Sequence, residues 1–252
     1  MAKLALITGA TAGIGEACAH TFAREGYDLI LTGRRQDRLD QLAQHLNTTY
    51  NIRIAVAAFD IRKPEQVLHH LESLPADLKL VDVLVNNAGL SQGLEPIDKG
   101  TFADWDTMID TNLKGLLYVS KTVANWMITN TRGHIINLGS IAGKDVYPNG
   151  NVYCATKAGV DALTKGMRMD LLPHGIKVTA VHPGAVETEF SEVRFKGDKE
   201  RAKKVYEGFT PLTAQDVADT IYYVASRPAH VNINDLVLMP TAQATGSMIF
   251  RK

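Results

Sequence analysis

Cysteine is scarce in this 252-residue chain: only Cys18 and Cys154 occur. Two cysteines so far apart make neither a disulfide framework nor a C-x-x-C metal or redox pair. A reducing, cytoplasmic setting is therefore expected. No charge of either sign is in excess, since Lys+Arg and Asp+Glu number 27 each. Long-range attraction to nucleic acid or an anionic membrane is not expected, and formal neutrality weakly favours self-association. No apolar run approaches the roughly 20 residues of a membrane-spanning helix. The opening Met1–Thr8 is too short for a signal peptide and runs straight into a glycine motif. Linkers, repeats and low-complexity tracts are missing too. The histidines, including His69-His70 and His182, show no metal-ligand spacing, so no metal is expected.

What the chain does have is alternation. Short apolar runs at Leu4–Thr8, Tyr27–Thr32, Ile52–Phe59, Leu80–Val85, Gly133–Leu138, Ile176–Val181 and Leu236–Met239 read as about seven strands. Between them lie helix-spaced segments: Gly13–Glu25, a stretch through Leu39, Leu42, Ala43 and Leu46, one opening near Pro64, and Val152–Leu172. A long helical stretch, Phe102–Thr129, has a break expected near Asp110–Asn112. Near-continuous apolar strands with intervening helices predict an α/β fold: one doubly wound, Rossmann-type parallel sheet with helices on both faces. The whole chain, 1–252, reads as one dinucleotide-binding and catalytic domain. Right-handed crossovers then bring the loops after the strands to one ligand-binding edge. The longest irregular candidate is Pro183–Gly197. Its Phe190, Val193 and Phe195 suit a mobile substrate lid over about residues 185–210 better than a solvated loop.

Thr8-Gly-Ala-Thr-Ala-Gly-Ile-Gly15 joins the first strand to the first helix. Gly9, Gly13 and Gly15 permit a tight turn, and the helix amino terminus, with Thr11 and Ile14 beside it, offers N–H groups to a pyrophosphate. A purely structural turn is the plainer alternative. The second strand ends Thr32-Gly-Arg34-Arg35, with no carboxylate to bind ribose hydroxyls. Two guanidinium groups suit a ribose 2′-phosphate, so NADP is expected over NAD; a solvated helix start is the alternative. Asp60, followed by Ile61, could accept from an adenine amino group or cap the helix near Pro64. Asn86-Asn87-Ala88-Gly89 closes the fourth strand with residues small enough to pass close to a ligand, or simply to turn.

Tyr153 and Lys157 stand four apart and share a helix face. A nearby ammonium can lower a phenol's pKa from roughly 10 and ready it for proton transfer. Ser140, thirteen residues earlier, could supply a hydroxyl donor or a plain strand-end turn. Asn112 could equally be an internal helix cap.

Taken together, these motifs resemble the short-chain dehydrogenase/reductase family over nearly the whole chain. Thr8–Gly15 matches its glycine motif, Asn86–Gly89 its NNAG motif, Ser140, Tyr153 and Lys157 its catalytic core, and Asn112 its fourth catalytic member. Pro183-Gly184 and Thr188, with Val186 between them, match its nicotinamide loop. The segments Gly93–Pro96, Arg194–Asp198 and Pro228–Asn234 resemble the bacterial NADP-dependent 3-hydroxy acid (serine or allo-threonine) dehydrogenases. That resemblance implies Tyr153 as proton donor or acceptor, Ser140 on the substrate oxygen and Lys157 on the nicotinamide ribose. It implies Asn112 as holder of a backbone and water link to Lys157. It implies serine, allo-threonine, 3-hydroxyisobutyrate or the matching 3-oxo acids and semialdehydes as substrates, and a homotetramer. Arg194 and Lys196 in the lid, joined by Gln92 after NNAG, are candidate readers of the substrate carboxylate; solvated side chains for the first two and a turn cap for Gln92 are the plainer alternatives. The competing expectations are a broad carbonyl or 3-oxoacyl reductase and a non-catalytic NADP-binding scaffold.

Overall fold

The structure, a computed structural model, describes residues 2–252. Seven strands, β1 (Leu4–Thr8), β2 (Asp28–Gly33), β3 (Ile54–Ala58), β4 (Val83–Asn86), β5 (His134–Leu138), β6 (Lys177–Pro183) and β7 (Asp235–Leu238), form one sheet. Its order is β3-β2-β1-β4-β5-β6-β7, and every pair is parallel. The doubly wound expectation therefore holds. The direction of winding changes between β1 and β4, which opens a crevice beyond their carboxyl ends.

Both faces of the sheet are covered at its centre, which is why β1, β4 and β5 are buried along their whole length, whereas the edge strand β7 alternates exposed and half-buried residues. Leu29, Leu31, Ile7 and Val85 face α1 (Gly13–Arg24), α2 (Gln36–Tyr50) and, further along, α9 (Ala214–Ala225). Leu6, Ile30, Leu84 and Ile135 face α3 (Pro64–Glu72) and α5 (Leu116–Asn130). Pro64 occupies the first turn of α3, as its missing N–H favours. Helix α9 is absent from the sequence-based reading, although Thr213 and Asp216 form a reciprocal capping box at its start.

Two features shape the site. The long helical stretch is interrupted where expected: α4 (Phe102–Ile109) passes into α5 through a wider π turn, Asp110–Gly115. That turn buries Thr111 and Asn112. The segment after β6 is not irregular. It holds two short helices, α7 (Phe190–Arg194) and α8 (Lys199–Lys204): Ser191, Phe195 and Ala202 are buried, and Phe190 packs against the cluster around Tyr153.

Candidate active site

The carboxyl-end crevice is a cavity of about 590 Å³. Its floor is the glycine turn. Gly9 has φ +67°, and an added Cβ would meet Asn87 and Ala88 at 2.9–3.0 Å. The turn is tied to the NNAG segment: Asn87 Nδ2 donates to the carbonyls of Thr8 (2.8 Å) and Gly9 (3.1 Å), while its N–H donates to the Thr8 hydroxyl (3.0 Å). Gly15 does not line the cavity. A Cβ there would lie 2.3 Å from the Gly9 carbonyl, so this glycine serves the packing of helix on turn.

Gly9, Thr11, Gly13, Ile14, Arg34, Arg35, Asp60, Ile61, Asn87, Ala88, Gly89, Pro183, Gly184, Val186 and Thr188 all line this one space. Among the described residues Arg34 makes no hydrogen bond or ion pair, whereas Arg35 is already engaged: it donates to the Thr11 hydroxyl (2.8 Å) and pairs with Glu189 (3.2 Å). Arg38 also reaches Glu189, at 2.8 Å. These guanidiniums, set beside an N-terminal helix turn and facing no strand-end carboxylate, fit a phosphorylated dinucleotide. Asp60 needs a correction as a helix cap. Lys63 is the residue at that position, and the Asp60 carboxylate accepts from the Arg62 guanidinium and backbone N–H instead. Those bonds hold its carboxyl below the usual range.

At the other end, α6 (Asn151–Leu171) carries Tyr153 and Lys157 to the cavity beside Ser140, which follows β5. Lys157 Nζ donates to the Leu138 carbonyl at 2.8 Å, and burial pulls its pKa down to about 8. Asn112 does not line the cavity. It brackets Leu90, accepting from its N–H (2.9 Å) and donating to its carbonyl (2.8 Å), and also donates to Thr156 (3.0 Å). The π turn thus fixes the chain just beyond Gly89, and the plain helix-cap alternative falls away.

Burial raises the Tyr153 pKa, and the opposing influences are the Arg194 charge first and the Ser140 hydroxyl second. Lys157 is drawn to the end of β5, whereas the Arg194 guanidinium lies 5.4 Å from the Tyr153 ring centre. Arg194 also sits 4.9 Å from the Phe190 ring and donates to the Tyr147 hydroxyl at 3.1 Å. Its Nε is buried without a partner among the described residues. Gln92 is not brought to the main cavity. It lines a smaller hollow with Asp104, Trp105 and Asn151, on the far side of Tyr153. Phe190 of the expected lid walls the cavity, as does Tyr147, which was not legible as a site residue because it falls in no motif.

The lid is docked. The Gly93 N–H donates to the Arg194 carbonyl (2.9 Å), Lys196 pairs with Asp104 (2.9 Å), and Glu189 bridges to Arg35 and Arg38.

A family profile described as short chain dehydrogenase matches residues 3–199. The chain belongs to that family. It is 48% identical over 242 residues to the NADP-dependent 3-hydroxy acid dehydrogenase YdfG of Salmonella typhi, covering 96% of each protein. It is 46% identical to sulfoacetaldehyde reductase 2 of Chromohalobacter salexigens, over 97% of this chain and 96% of that one. Among solved structures it resembles the closed form of a serine dehydrogenase complexed with NADP+, with TM-score 0.93, 44% identity and 99% coverage of both chains. Among the described residues, no helix is long and apolar enough to cross a membrane.

Lys157 has a measurable cost. Its folded pKa lies below that of a free lysine, so the unfolded chain binds the proton more tightly. The destabilisation is complete below about pH 8 and is relieved as pH rises towards 10.5. It amounts to roughly 3 kcal/mol before the loss of the bond to Leu138 is counted against it. Lys157→Met is therefore expected to abolish turnover yet melt no lower than the wild type at pH 7. A clear fall in Tm would refute the cost.

Proposed function

We propose that this enzyme interconverts small 3-hydroxy acids, such as serine, allo-threonine or 3-hydroxyisobutyrate, and the corresponding 3-oxo acids or semialdehydes. The family and the site make the chain an NADP-dependent oxidoreductase acting on a CH–OH group. The observation that carries the substrate reading is Arg194, a guanidinium with an unpartnered buried Nε on the wall that also holds Tyr153. Carboxylate and sulfonate groups, present in the substrates named for the relatives, are what such a fork binds.

Bound NADP(H) supplies or accepts the hydride. In reduction, Tyr153 gives its phenol proton to the carbonyl oxygen while Ser140 hydrogen-bonds the same oxygen. Lys157 would hold the nicotinamide-ribose hydroxyls, and Asn112 keeps the backbone beyond Gly89 in register. In oxidation Tyr153 takes the proton, so the oxidative rate should rise with pH as the phenol ionises.

Arg194→Met tests the carboxylate. The loss of kcat/KM for a 3-hydroxy acid should exceed that for a neutral secondary alcohol by about 1.5–3 kcal/mol, the worth of a charge-assisted contact. Some loss is expected with both, since Arg194 also acts on Tyr153. Equal losses would make Arg194 only an organiser of the lid. A wild-type preference for neutral alcohols in NADP+ reduction would favour a broad carbonyl reductase, and no turnover of any alcohol or carbonyl compound with NADP(H) bound would favour a binding scaffold. A cytoplasmic homotetramer completes the proposal. Exposed apolar side chains such as Phe102, Met169, Leu172 and Phe250 support self-association, which light scattering would measure.

A further inference from the structure

Behind Ser140 lies a cluster of charged groups that the reaction does not use. His182, in β6 just before Pro183-Gly184, is fully buried. Its Nδ1 lies 3.3 Å from both the backbone N and the carbonyl O of Ser140. Its Nε2 points at two carboxylates, Asp161 Oδ1 at 3.6 Å and Asp235 Oδ2 at 3.5 Å, and has no closer partner among the described residues. Lys144 Nζ lies between the same carboxylates, 3.0 Å from Asp161 and 2.6 Å from Asp235. The two aspartates and the histidine are close enough together to share a cation, and the Lys144 ammonium provides that charge.

The connectivity gives the cluster its meaning. Ser140 and Lys144 are the two ends of one short loop after β5. Asp161 stands four residues beyond Lys157 and eight beyond Tyr153, on the same stripe of α6. His182 stands on β6 and Asp235 on β7. The loop bearing Ser140 is thus gripped at both ends by groups anchored to the helix bearing Tyr153. Gly139 admits the imidazole: a Cβ there would sit 2.3 Å from His182 Nδ1. With its proton on Nε2, facing Asp161 and Asp235, the ring accepts the Ser140 N–H at Nδ1; with the proton on Nδ1 it donates to the Ser140 carbonyl, and in either tautomer it holds the Ser140 backbone. Burial lowers the His182 pKa, against the pull of Asp235, and favours the neutral ring.

The geometry points to His182, backed by Asp161, Asp235 and Lys144, as a positioning residue that holds the Ser140 hydroxyl in register with Tyr153. The inference rests on the reading that Ser140 hydrogen-bonds the substrate oxygen. It touches neither substrate nor cofactor, so it should act on turnover through Ser140 alone. Misplacement of a reacting group by about 1 Å can cost on the order of 10²-fold in rate.

The test combines His182→Leu, His182→Asn, Ser140→Ala and the double variant His182→Leu/Ser140→Ala. Steady-state reduction is measured alongside NADPH affinity by fluorescence. His182→Leu should lower kcat by about 10²-fold with NADPH affinity retained. His182→Asn, whose amide oxygen can still accept the Ser140 N–H, should recover most of that loss. In the Ser140→Ala background, His182→Leu should add little, because both changes remove one interaction. If His182→Leu proves unstable, Lys144→Met, at the cluster's outer side, should lower kcat in the same way and likewise add little to Ser140→Ala. Wild-type kcat in His182→Leu or Lys144→Met beside an impaired Ser140→Ala overturns the positioning role alone. So do fully additive losses. Wild-type kcat in Ser140→Ala overturns the reading of Ser140 itself and the inference with it.

Discussion

Tyr153→Phe is expected to lower kcat by about 10²–10⁴-fold, the usual worth of a positioned general acid or base. The substitution keeps the ring that packs 5.6 Å from Phe190 and 5.4 Å from the Arg194 guanidinium, so the cavity wall should survive. Only the hydroxyl is lost. NADPH affinity should therefore change little, and the loss should persist in single turnovers, where product release plays no part. Near-normal single-turnover hydride transfer in folded Tyr153→Phe would remove Tyr153 from the mechanism. The pH profile offers a second check. Burial raises the phenol pKa, and the Arg194 charge opposes it. Arg194→Met should therefore push the alkaline rise of the oxidative rate to higher pH. An unchanged profile would mean that the guanidinium does not act on the phenol.

Replacing both Arg34 and Arg35 with glutamine should weaken NADPH far more than NADH. Each lost guanidinium–phosphate contact is worth about 1.5–3 kcal/mol, or roughly 10- to 150-fold in affinity. The two positions should not contribute alike. Arg34 has no hydrogen-bond or ion-pair partner among the described residues, whereas Arg35 is shared with Thr11 and Glu189. The single Arg34 variant should carry the larger, purely electrostatic loss. The Arg35 variant should also loosen the bridge from β2 to the lid. Isothermal titration with each nucleotide measures both. Equal or better wild-type kcat/KM with NADH would reverse the cofactor assignment.

Legibility differed by element for physical reasons. Strands β1, β2, β4, β5 and β6 announce themselves because a sheet covered on both faces needs unbroken apolar runs. The interruption near Asp110–Asn112 was visible as a polar triplet in an apolar helix, but its form, a π turn that aims Asn112 at Leu90, depends on contacts distant in sequence. Segment 183–197 read as irregular because its one helix, α7, is short and gains order from the cavity wall rather than from propensity. Gln92 follows the NNAG motif yet faces a different hollow, since Gly93 turns the chain with φ +70°.

The order of the strands, the glycine turn, the guanidinium pair after β2 and the Tyr153–Lys157 stripe were determined by sequence alone, because each is a matter of local spacing. Which groups meet across the sheet was decided only in three dimensions. Lys157 is drawn to Leu138 and Arg194 to Tyr153, though 41 residues separate the latter pair. His182, a lone histidine in sequence, meets Asp161 and Asp235 only because β5, β6, β7 and α6 pack side by side. Charge and hydrogen bonding act over a few ångströms of space, and a parallel sheet with crossover helices sets those distances independently of separation along the chain.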